Sequence, residues 1–185
     1  MTGVGGQGIQ LIAKLLAQAA MREDRQVMMF GIFMGTIRGG SSESTVVIAD
    51  REIVAPPIIP TAWALLAMHP AGLPALEKKA RPGSVLIVNS TLVARPPAWD
   101  GVRQLAVPAT ELATSIGQVM GASMVALGAF VGATGIVSLD SLAAALGDVL
   151  PPHRRKLIDT NRLCIARGAE YVAASAASSA VSAWA

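Results

Sequence analysis

The chain has 185 residues, of which 52% are hydrophobic and only 15% are charged, and its formal net charge is +3. This length fits one domain of ordinary size with a full hydrophobic core. The small positive excess forms no basic stripe interleaved with aromatic residues, so the sequence does not favour nucleic-acid binding. Because about a quarter of the residues in an ordinary soluble domain are charged, we expect partner subunits to cover much of this surface.

Cysteine and histidine are scarce. The single cysteine, Cys164, cannot form a disulfide within the chain, which fits a reducing cytoplasmic environment. His69 and His153 are far apart in the sequence, so these residues predict neither a zinc site nor an iron–sulfur cluster. We therefore predict no metal site in this chain, no secretory signal peptide and a cytoplasmic location.

The sequence "GVGGQG", at residues 3–8, precedes a stretch with apolar residues at helical spacing. A glycine-rich loop that leads into a helix directs free N–H groups and the positive end of the helix dipole towards an anion such as a phosphate. A nicotinamide site would also need a full strand before the loop and an acid at the end of the second strand. Here only Met1 and Thr2 precede the loop, and Glu23 and Asp24 come before the second predicted strand. Binding of another phosphate ligand and a purely structural turn both stay open.

Predicted strands and helices alternate along the rest of the chain. β-Branched and apolar runs predict the strands, and the segments between them predict helices. The strands after the first are "QVMMFGIF", "ESTVVIAD", "AWALLAM", "VLIV" and "VRQLAVPA", and short helices are predicted in "HPAGLPALEKKA" and "TELATSIG". Thr110 is the predicted N-cap of the second of these helices, and Ser138 caps a later one.

The apolar segment at residues 119–137 is long enough to raise the question of a membrane span. It is rich in small residues and lacks flanking anchors, so we interpret it as a buried helix that packs closely through Gly128 and Gly132, without membrane insertion. The sequence contains no linker and no internal repeat. We predict one domain over residues 1–185, with a truncated first strand and a tail at 175–185 that either frays or extends the last helix. The predicted fold class is α/β, a doubly wound, mostly parallel sheet with C-terminal helices.

In a doubly wound sheet, ligands lie beyond the carboxyl ends of the strands. Residues 3–8, 34–42 and 89–91 each follow such an end and are expected to meet there. Arg38 can clamp a phosphate or carboxylate, although it can equally pair with a partner chain or face water. The side chain of Asn89 can contact a ligand or cap the turn after its strand. The candidate binding residues are Gly5, Gly6, Gln7, Gly8, Arg38, Gly39, Gly40, Ser41 and Asn89.

No catalytic constellation stands out in the sequence. It contains no G-x-S-x-G motif, no phosphate-binding GK[ST] motif and no metal-ligand spacing. We therefore predict no catalytic residue in this chain. A ligand-binding cleft without an obvious acid, base or nucleophile indicates a subunit that binds while another chain reacts.

Several segments together resemble the gamma subunit of the 2-oxoacid:ferredoxin (acceptor) oxidoreductases, which act on pyruvate, 2-oxoglutarate, ketoisovalerate and other branched-chain, indolepyruvate or arylglyoxylate substrates. These segments are "GVGGQGIQLIAKLLAQAA", "GTIRGGSSESTVVIADREIVAPPI", "GSVLIVNST", "MVALGAFVGATGIVSLDSLAAAL" and "NRLCIARGAEYV". They cover nearly the whole chain, and the order of GGQG, RGG, Leu-Gly and Asn…Gly is fairly specific. The sequence departs from the family pattern at the short first strand, at residues 35–37 and near Ala122 or Ser123.

The resemblance implies a Rossmann-like gamma domain that works only within a complex, which performs CoA-dependent oxidative decarboxylation of a 2-oxoacid. It implies that thiamine diphosphate and Mg²⁺ lie with the alpha and beta subunits, and that iron–sulfur clusters lie on a beta or ferredoxin-like chain. This chain would hold none of these cofactors itself. Its glycine loop and Arg38 become candidates for CoA binding or subunit docking. The alternatives are a stand-alone Rossmann-like protein that binds NAD(P) or an adenine nucleotide, and a purely structural assembly subunit.

Overall fold

The computed structural model of the chain describes residues 1–33, 39–54 and 56–182, in which the strands precede residue 108 and most of the α-helices follow it. The strands are β1 (Thr2–Val4), β2 (Gln26–Phe33), β3 (Ser41–Ala49), β4 (Ala64–Ala67), β5 (Val85–Asn89) and β6 (Arg103–Val107). The α-helices are α1 (Ile9–Arg22), α2 (Leu73–Glu77), α3 (Ala109–Ser115), α4 (Ala122–Thr134), α5 (Leu139–Val149) and α6 (Ile158–Ser182). The 3₁₀ turns at Pro70–Gly72, Val119–Gly121 and Pro152–Leu157 lead into α2, α4 and α6.

The described strands form one mixed sheet in the order β2-β3-β1-β4-β5-β6. The pairs β1–β4, β4–β5 and β5–β6 are parallel, whereas β3 runs antiparallel to both of its neighbours, β1 and β2. All strands except β3 therefore point the same way, and the predicted mostly parallel α/β sheet is confirmed. The carboxyl ends of these strands and the first residue of β3 share one edge of the sheet, which we call the upper edge.

The reversal of β3 was not part of the sequence prediction. A parallel pair of strands needs a crossover of about a dozen residues or more, and only residues 34–40 separate β2 from β3. The two strands therefore pair as antiparallel neighbours, with Gly31 opposite Ser44.

Helices pack against both faces of the sheet. Side chains alternate between the faces along each strand, as β geometry requires. Leu66 and Ile87 belong to the larger core, which α1, α4 and α5 complete. Leu65 and Leu86 belong to a smaller cluster on the other face, together with Leu76 of α2. This arrangement has the helices on both faces that a doubly wound fold requires.

The helices α4 and α6 pack backbone against backbone. A Cβ atom built on Gly128 would lie 1.9 Å from the carbonyl oxygen of Ile165, and one on Gly168 would lie 1.9 Å from the carbonyl oxygen of Val125. A Cβ atom on Gly132 would lie 3.1 Å from the Cα atom of Ala169. The predicted close packing of the apolar helix through Gly128 and Gly132 is confirmed.

The two predicted helix caps differ in outcome. The Ser138 hydroxyl accepts the backbone N–H of Ser141 at 3.0 Å, so the predicted cap of α5 is confirmed. The predicted cap of α3 at Thr110 is wrong, because α3 begins directly after Pro108 and Thr110 lies in its first turn. Proline fixes a backbone angle that suits this junction and lacks an N–H group that would need a partner.

Candidate functional site

The upper edge brings the glycine loop, residues 3–8, next to Gly39 and Gly40. The N–H group of Gly5 donates a hydrogen bond to the carbonyl oxygen of Gly40 at 2.8 Å. A Cβ atom built on Gly5 would lie 3.4 Å from the backbone nitrogen of Gly39, so the two backbones are close to van der Waals contact. Two of the three segments expected to meet thus lie side by side in their described parts.

Positive φ angles explain glycine at Gly6, Gly8 and Gly39, where φ is 92°, 77° and 82°. A Cβ atom on Gly8 would also come 2.9 Å from the hydroxyl oxygen of Ser123 on α4. Among the described residues, no atom lies within 4 Å of a Cβ atom built on Gly6. The positive φ angle is therefore the feature of the described structure that requires glycine at Gly6.

The N-terminus of α1 supplies free hydrogen-bond donors directly after the loop. No side chain caps this helix at Gly8. The N–H groups of Gly8, Ile9 and Gln10 have no acceptor among the described residues, because the first turn of a helix lacks the carbonyl groups one turn earlier. These donors and the positive end of the helix dipole favour an anion at this position.

Gln7 shapes the loop from within. Its Oε1 atom accepts the N–H of Val4 at 2.9 Å, and its Nε2 atom donates to the carbonyl oxygen of Met68 at 3.4 Å. Its own N–H group donates to the carbonyl oxygen of Val4 at 3.1 Å. Gln7 therefore fastens the loop to the ends of β1 and β4, and contact of this side chain with a ligand stays a prediction.

The remaining candidate residues have different surroundings. Ser41 is exposed at the start of β3, where it pairs with Val4. Arg38 lies outside the described residues. Asn89 is 1% exposed: its Nδ2 atom donates to the Thr110 hydroxyl at 3.0 Å, and its Oδ1 atom accepts the Thr110 N–H at 3.4 Å. Both ends of this carboxamide thus hold the start of α3, and β4 separates its strand from β1.

The acidic residues nearest in sequence to the second strand lie at the opposite edge of the sheet. Glu23 and Asp24 are in the turn between α1 and β2, where Asp24 has a φ angle of 56°. The Oε1 atom of Glu23 accepts the N–H of Ser138 at 2.7 Å, and this hydrogen bond holds the pKa of Glu23 below its usual value. Neither residue can therefore bind the ribose of a dinucleotide at the glycine loop.

Within residues 1–33, 39–54 and 56–182, no group of three or more His, Cys, Asp or Glu side chains could hold a metal ion. Cys164 is completely buried, and burial raises the pKa of its thiol, as in a core residue rather than a reactive thiolate. No helix in these ranges is both long and apolar enough to cross a membrane.

The comparison with protein families identifies the fold and its relatives. Residues 1–171 match the family described as pyruvate ferredoxin/flavodoxin oxidoreductase. The chain belongs to this family. The matched region contains the glycine loop, the whole sheet and the helices as far as Tyr171 in α6. The resemblance found in the sequence is thereby confirmed.

Two relatives show the level of similarity within the oxidoreductase family. The chain is 34% identical over 162 residues to the 2-oxoglutarate synthase subunit KorC of Methanothermobacter thermautotrophicus. The aligned region covers 82% of this chain and 84% of KorC. It is 31% identical over 173 residues to the ketoisovalerate oxidoreductase subunit VorA of the same organism, which covers 92% of this chain. The chain spans 35% of the length of VorA.

Two solved structures share the fold. The gamma subunit of a keto/oxoacid ferredoxin oxidoreductase from Geobacter sulfurreducens matches with a TM-score of 0.74 and 27% identity, over 94% of this chain and 96% of that subunit. The 2-oxoglutarate:ferredoxin oxidoreductase from Magnetococcus marinus, solved with 2-oxoglutarate, coenzyme A and succinyl-CoA, matches with a TM-score of 0.83 and 22% identity. That second match covers 94% of this chain and 30% of the Magnetococcus chain, and it supports the fold alone.

Proposed function

We propose that this chain is the gamma-type subunit of a 2-oxoacid:acceptor oxidoreductase that performs CoA-dependent oxidative decarboxylation. In this reaction the 2-oxoacid loses CO₂ and two electrons, and its acyl group is joined to the thiol of CoA. The chain itself binds CoA or a partner subunit and contributes no catalytic residue. Its glycine loop, together with Arg38, Gly39 and Gly40, forms an anion-binding surface for the phosphates of CoA or for docking of a partner subunit.

The contact between Gly5 and Gly40 is the observation that carries this proposal. It places two glycine-rich segments and the free N–H groups of α1 at one edge of the sheet. Backbone donors at a helix N-terminus and a guanidinium group are the groups that bind phosphate in proteins. Within a family of 2-oxoacid oxidoreductases, CoA is the phosphate-bearing reactant that suits this edge.

The proposal assigns the remaining chemistry to partner chains. The alpha and beta subunits hold thiamine diphosphate and Mg²⁺, and a beta or ferredoxin-like chain holds the iron–sulfur clusters that carry the electrons away. The relatives KorC and VorA are named as subunits, which supports an assembly of this kind. We assign the complex to the cytoplasm.

The test is a CoA titration of the complex that this chain forms with its partner subunits when it is purified from its native source. We expect CoA-dependent oxidation of a 2-oxoacid by the complex and none by the chain alone. Replacing the guanidinium in Arg38→Ala should weaken CoA binding about tenfold. The matched variant is Arg51→Ala, because Arg51 is exposed just beyond the end of β3 at the opposite edge, and it should bind CoA normally.

Other ligands distinguish this proposal from its rivals. Tight binding of NADH by the chain alone, lost in Gly6→Ala, would support a stand-alone nucleotide-binding protein instead. If CoA, ADP, NADH and NADPH all fail to bind the assembled complex, the glycine loop contacts only protein and the chain is a structural subunit.

A further inference from the structure

Gln10, in the first turn of α1, holds the start of β3 through three hydrogen bonds. Its Nε2 atom donates to the carbonyl oxygen of Glu43 at 2.9 Å and to the hydroxyl of Ser42 at 3.4 Å. Its Oε1 atom accepts the hydroxyl of Ser44 at 2.9 Å. Ser42 and Ser44 are 6% and 1% exposed, so water competes little for these hydrogen bonds.

The neighbouring strand makes room for the Gln10 carboxamide. Gly31 of β2 lies opposite Ser44 of β3, and a Cβ atom built on Gly31 would lie 2.2 Å from Gln10 Oε1. A glycine inside a strand weakens the strand and marks a close approach of another group. Gly31, Ser42 and Ser44 form a small, polar floor beneath Gln10, where an apolar helix–sheet interface would carry bulky β-branched side chains.

This floor connects the two segments of the candidate site. Gln10 lies two residues after the glycine loop, and Ser42 lies two residues after Gly40. The helix α1 therefore holds the glycine loop through the peptide chain and holds the segment that begins β3 through the Gln10 side chain. The hydrogen bond from Gly5 to Gly40 joins the same two segments directly. A shift of β3 along α1 would break that bond.

We propose that Gln10 is a positioning residue for the CoA site. It fixes the start of β3 against α1, and so presents Gly39 and Gly40 to the anion at the glycine loop. The identity of that anion rests on the proposed function, whereas the positioning role does not. Gln10 itself does not contact the ligand. A buried hydrogen-bonded amide suits this task because it satisfies its partners in one arrangement only, whereas an apolar side chain tolerates a slipped one.

The first test replaces the carboxamide by an apolar side chain of similar length, in Gln10→Met. The matched control is Gln18→Met in the same helix, because the Nε2 atom of Gln18 also donates a hydrogen bond, to Asp148 at 3.3 Å on the exposed surface. Amide hydrogen exchange and CoA affinity are measured on the assembled complex. We expect Gln10→Met to speed exchange in residues 39–44 about tenfold and to weaken CoA binding about tenfold, and Gln18→Met to change neither.

The second test displaces the carboxamide from the other side. The methyl group in Gly31→Ala would push Gln10 Oε1 away from Ser44, so this variant should reproduce the faster exchange of Gln10→Met. In a Gln10→Ala background the side chain that clashes is gone. Gly31→Ala should then add nothing to the exchange rate.

The outcomes separate this role from simple destabilisation and from the function itself. Asn89→Ala, which removes a buried hydrogen-bonding group elsewhere, should lower stability without speeding exchange in residues 39–44. Unchanged exchange there in Gln10→Met, or additive effects of Gly31→Ala and Gln10→Ala, would overturn the positioning role. If exchange rises as expected but the wild-type complex binds no CoA, the positioning role holds and the proposed function fails.

Discussion

At the scale of single residues, a substitution of Gly6 tests the effect of backbone conformation without an effect of packing. Its φ angle is 92° and a Cβ atom would meet no described atom within 4 Å, so Gly6→Ala adds strain of about 1 kcal/mol or more without a clash in that part of the structure. We expect CoA affinity of the complex to fall about tenfold in a calorimetric titration. Gly83→Ala is the control, because Gly83 has a φ angle of 85° and equally open surroundings before β5. Equal losses in both variants would mean that strain anywhere weakens binding.

Asn89 offers a second single-residue prediction. Asn89→Ala leaves the Thr110 hydroxyl and N–H at the start of α3 without their buried partner, which should destabilise the chain by about 1–3 kcal/mol. Urea denaturation measures this loss, and CoA affinity should stay unchanged. A drop in affinity at unchanged stability would instead establish Asn89 as a ligand contact, which is one of the two roles that the sequence left open.

The meeting of the glycine loop with Gly39 and Gly40 could be predicted, because both segments follow or precede strand ends at one edge of a sheet. The roles of the polar side chains could not. Gln10 binds a carbonyl group 33 residues away, and Asn89 binds Thr110 21 residues away, so neither pairing has a local signal. A detectable sign of the Gln10 contact was present all the same. The inward positions of "SSES" are polar and small, and a glycine interrupts the opposite strand.

At the scale of elements, the glycines of α4 decide how closely α6 can approach. A methyl group in Gly128→Ala would collide with the main-chain carbonyl of Ile165, which can move only if α6 shifts as a whole. We expect a loss of about 3 kcal/mol or more in urea denaturation. Gly147→Ala on α5 is the control, because a Cβ atom there would meet nothing within 4 Å. It should stabilise the chain by about 0.5–1 kcal/mol, since alanine favours a helix interior. A similar result for both variants would contradict the close packing.

The junction between α1 and α5 has a pH-dependent stability. The N–H of Ser138 holds the pKa of Glu23 below its usual value near 4.5, so the folded state favours the ionised carboxylate. The resulting stability is complete above the unfolded pKa and is lost as the pH falls through the lower folded pKa. Glu23→Gln should cost no more than about 1 kcal/mol at pH 7, because solvent screens this side chain. The difference from wild type should shrink as the pH falls below 4.5 and vanish below the folded pKa of Glu23, as measured by thermal unfolding across the acidic range.

The element order followed from sequence patterns, because each buried strand is a run of apolar or β-branched residues and each helix begins near a recognisable break. The direction of each strand is harder to predict from the sequence. Composition cannot show which way a strand runs, and the antiparallel course of β3 follows only from the short connection after Phe33. The prediction of Thr110 as the N-cap of α3 was also wrong. Threonine suits an N-cap on local sequence grounds, but the N–H group of Thr110 is bound by Asn89 from a distant strand.

At the scale of the whole molecule, one face of the sheet keeps apolar side chains at its surface. Gly31 faces α1, so Phe30 and Ile32 project from the opposite face, where they are 41% and 52% exposed. Ile58, which is 72% exposed, lines the same groove. Thr45 and the ion pair of Glu43 with Lys79 line the groove beside these apolar side chains. Exposed apolar side chains rimmed by polar groups mark protein interfaces, and the low share of charged residues in the chain points the same way. We expect a partner subunit of the oxidoreductase to cover this face.

Replacing apolar groups in this groove tests that expectation. Ile32→Thr keeps the branched shape that suits a strand while adding a hydroxyl group, so the fold should tolerate it. A hydroxyl buried at the interface without a partner costs about 1–3 kcal/mol, and co-purification with the partner subunits should weaken by about tenfold or more. Leu163→Thr is the control on α6, where the side chain is 49% exposed and lies away from this groove. If assembly instead fails in Leu163→Thr and survives in Ile32→Thr, the partner binds the helical side of the molecule. The exposed apolar side chains of the sheet face then do not form the partner interface.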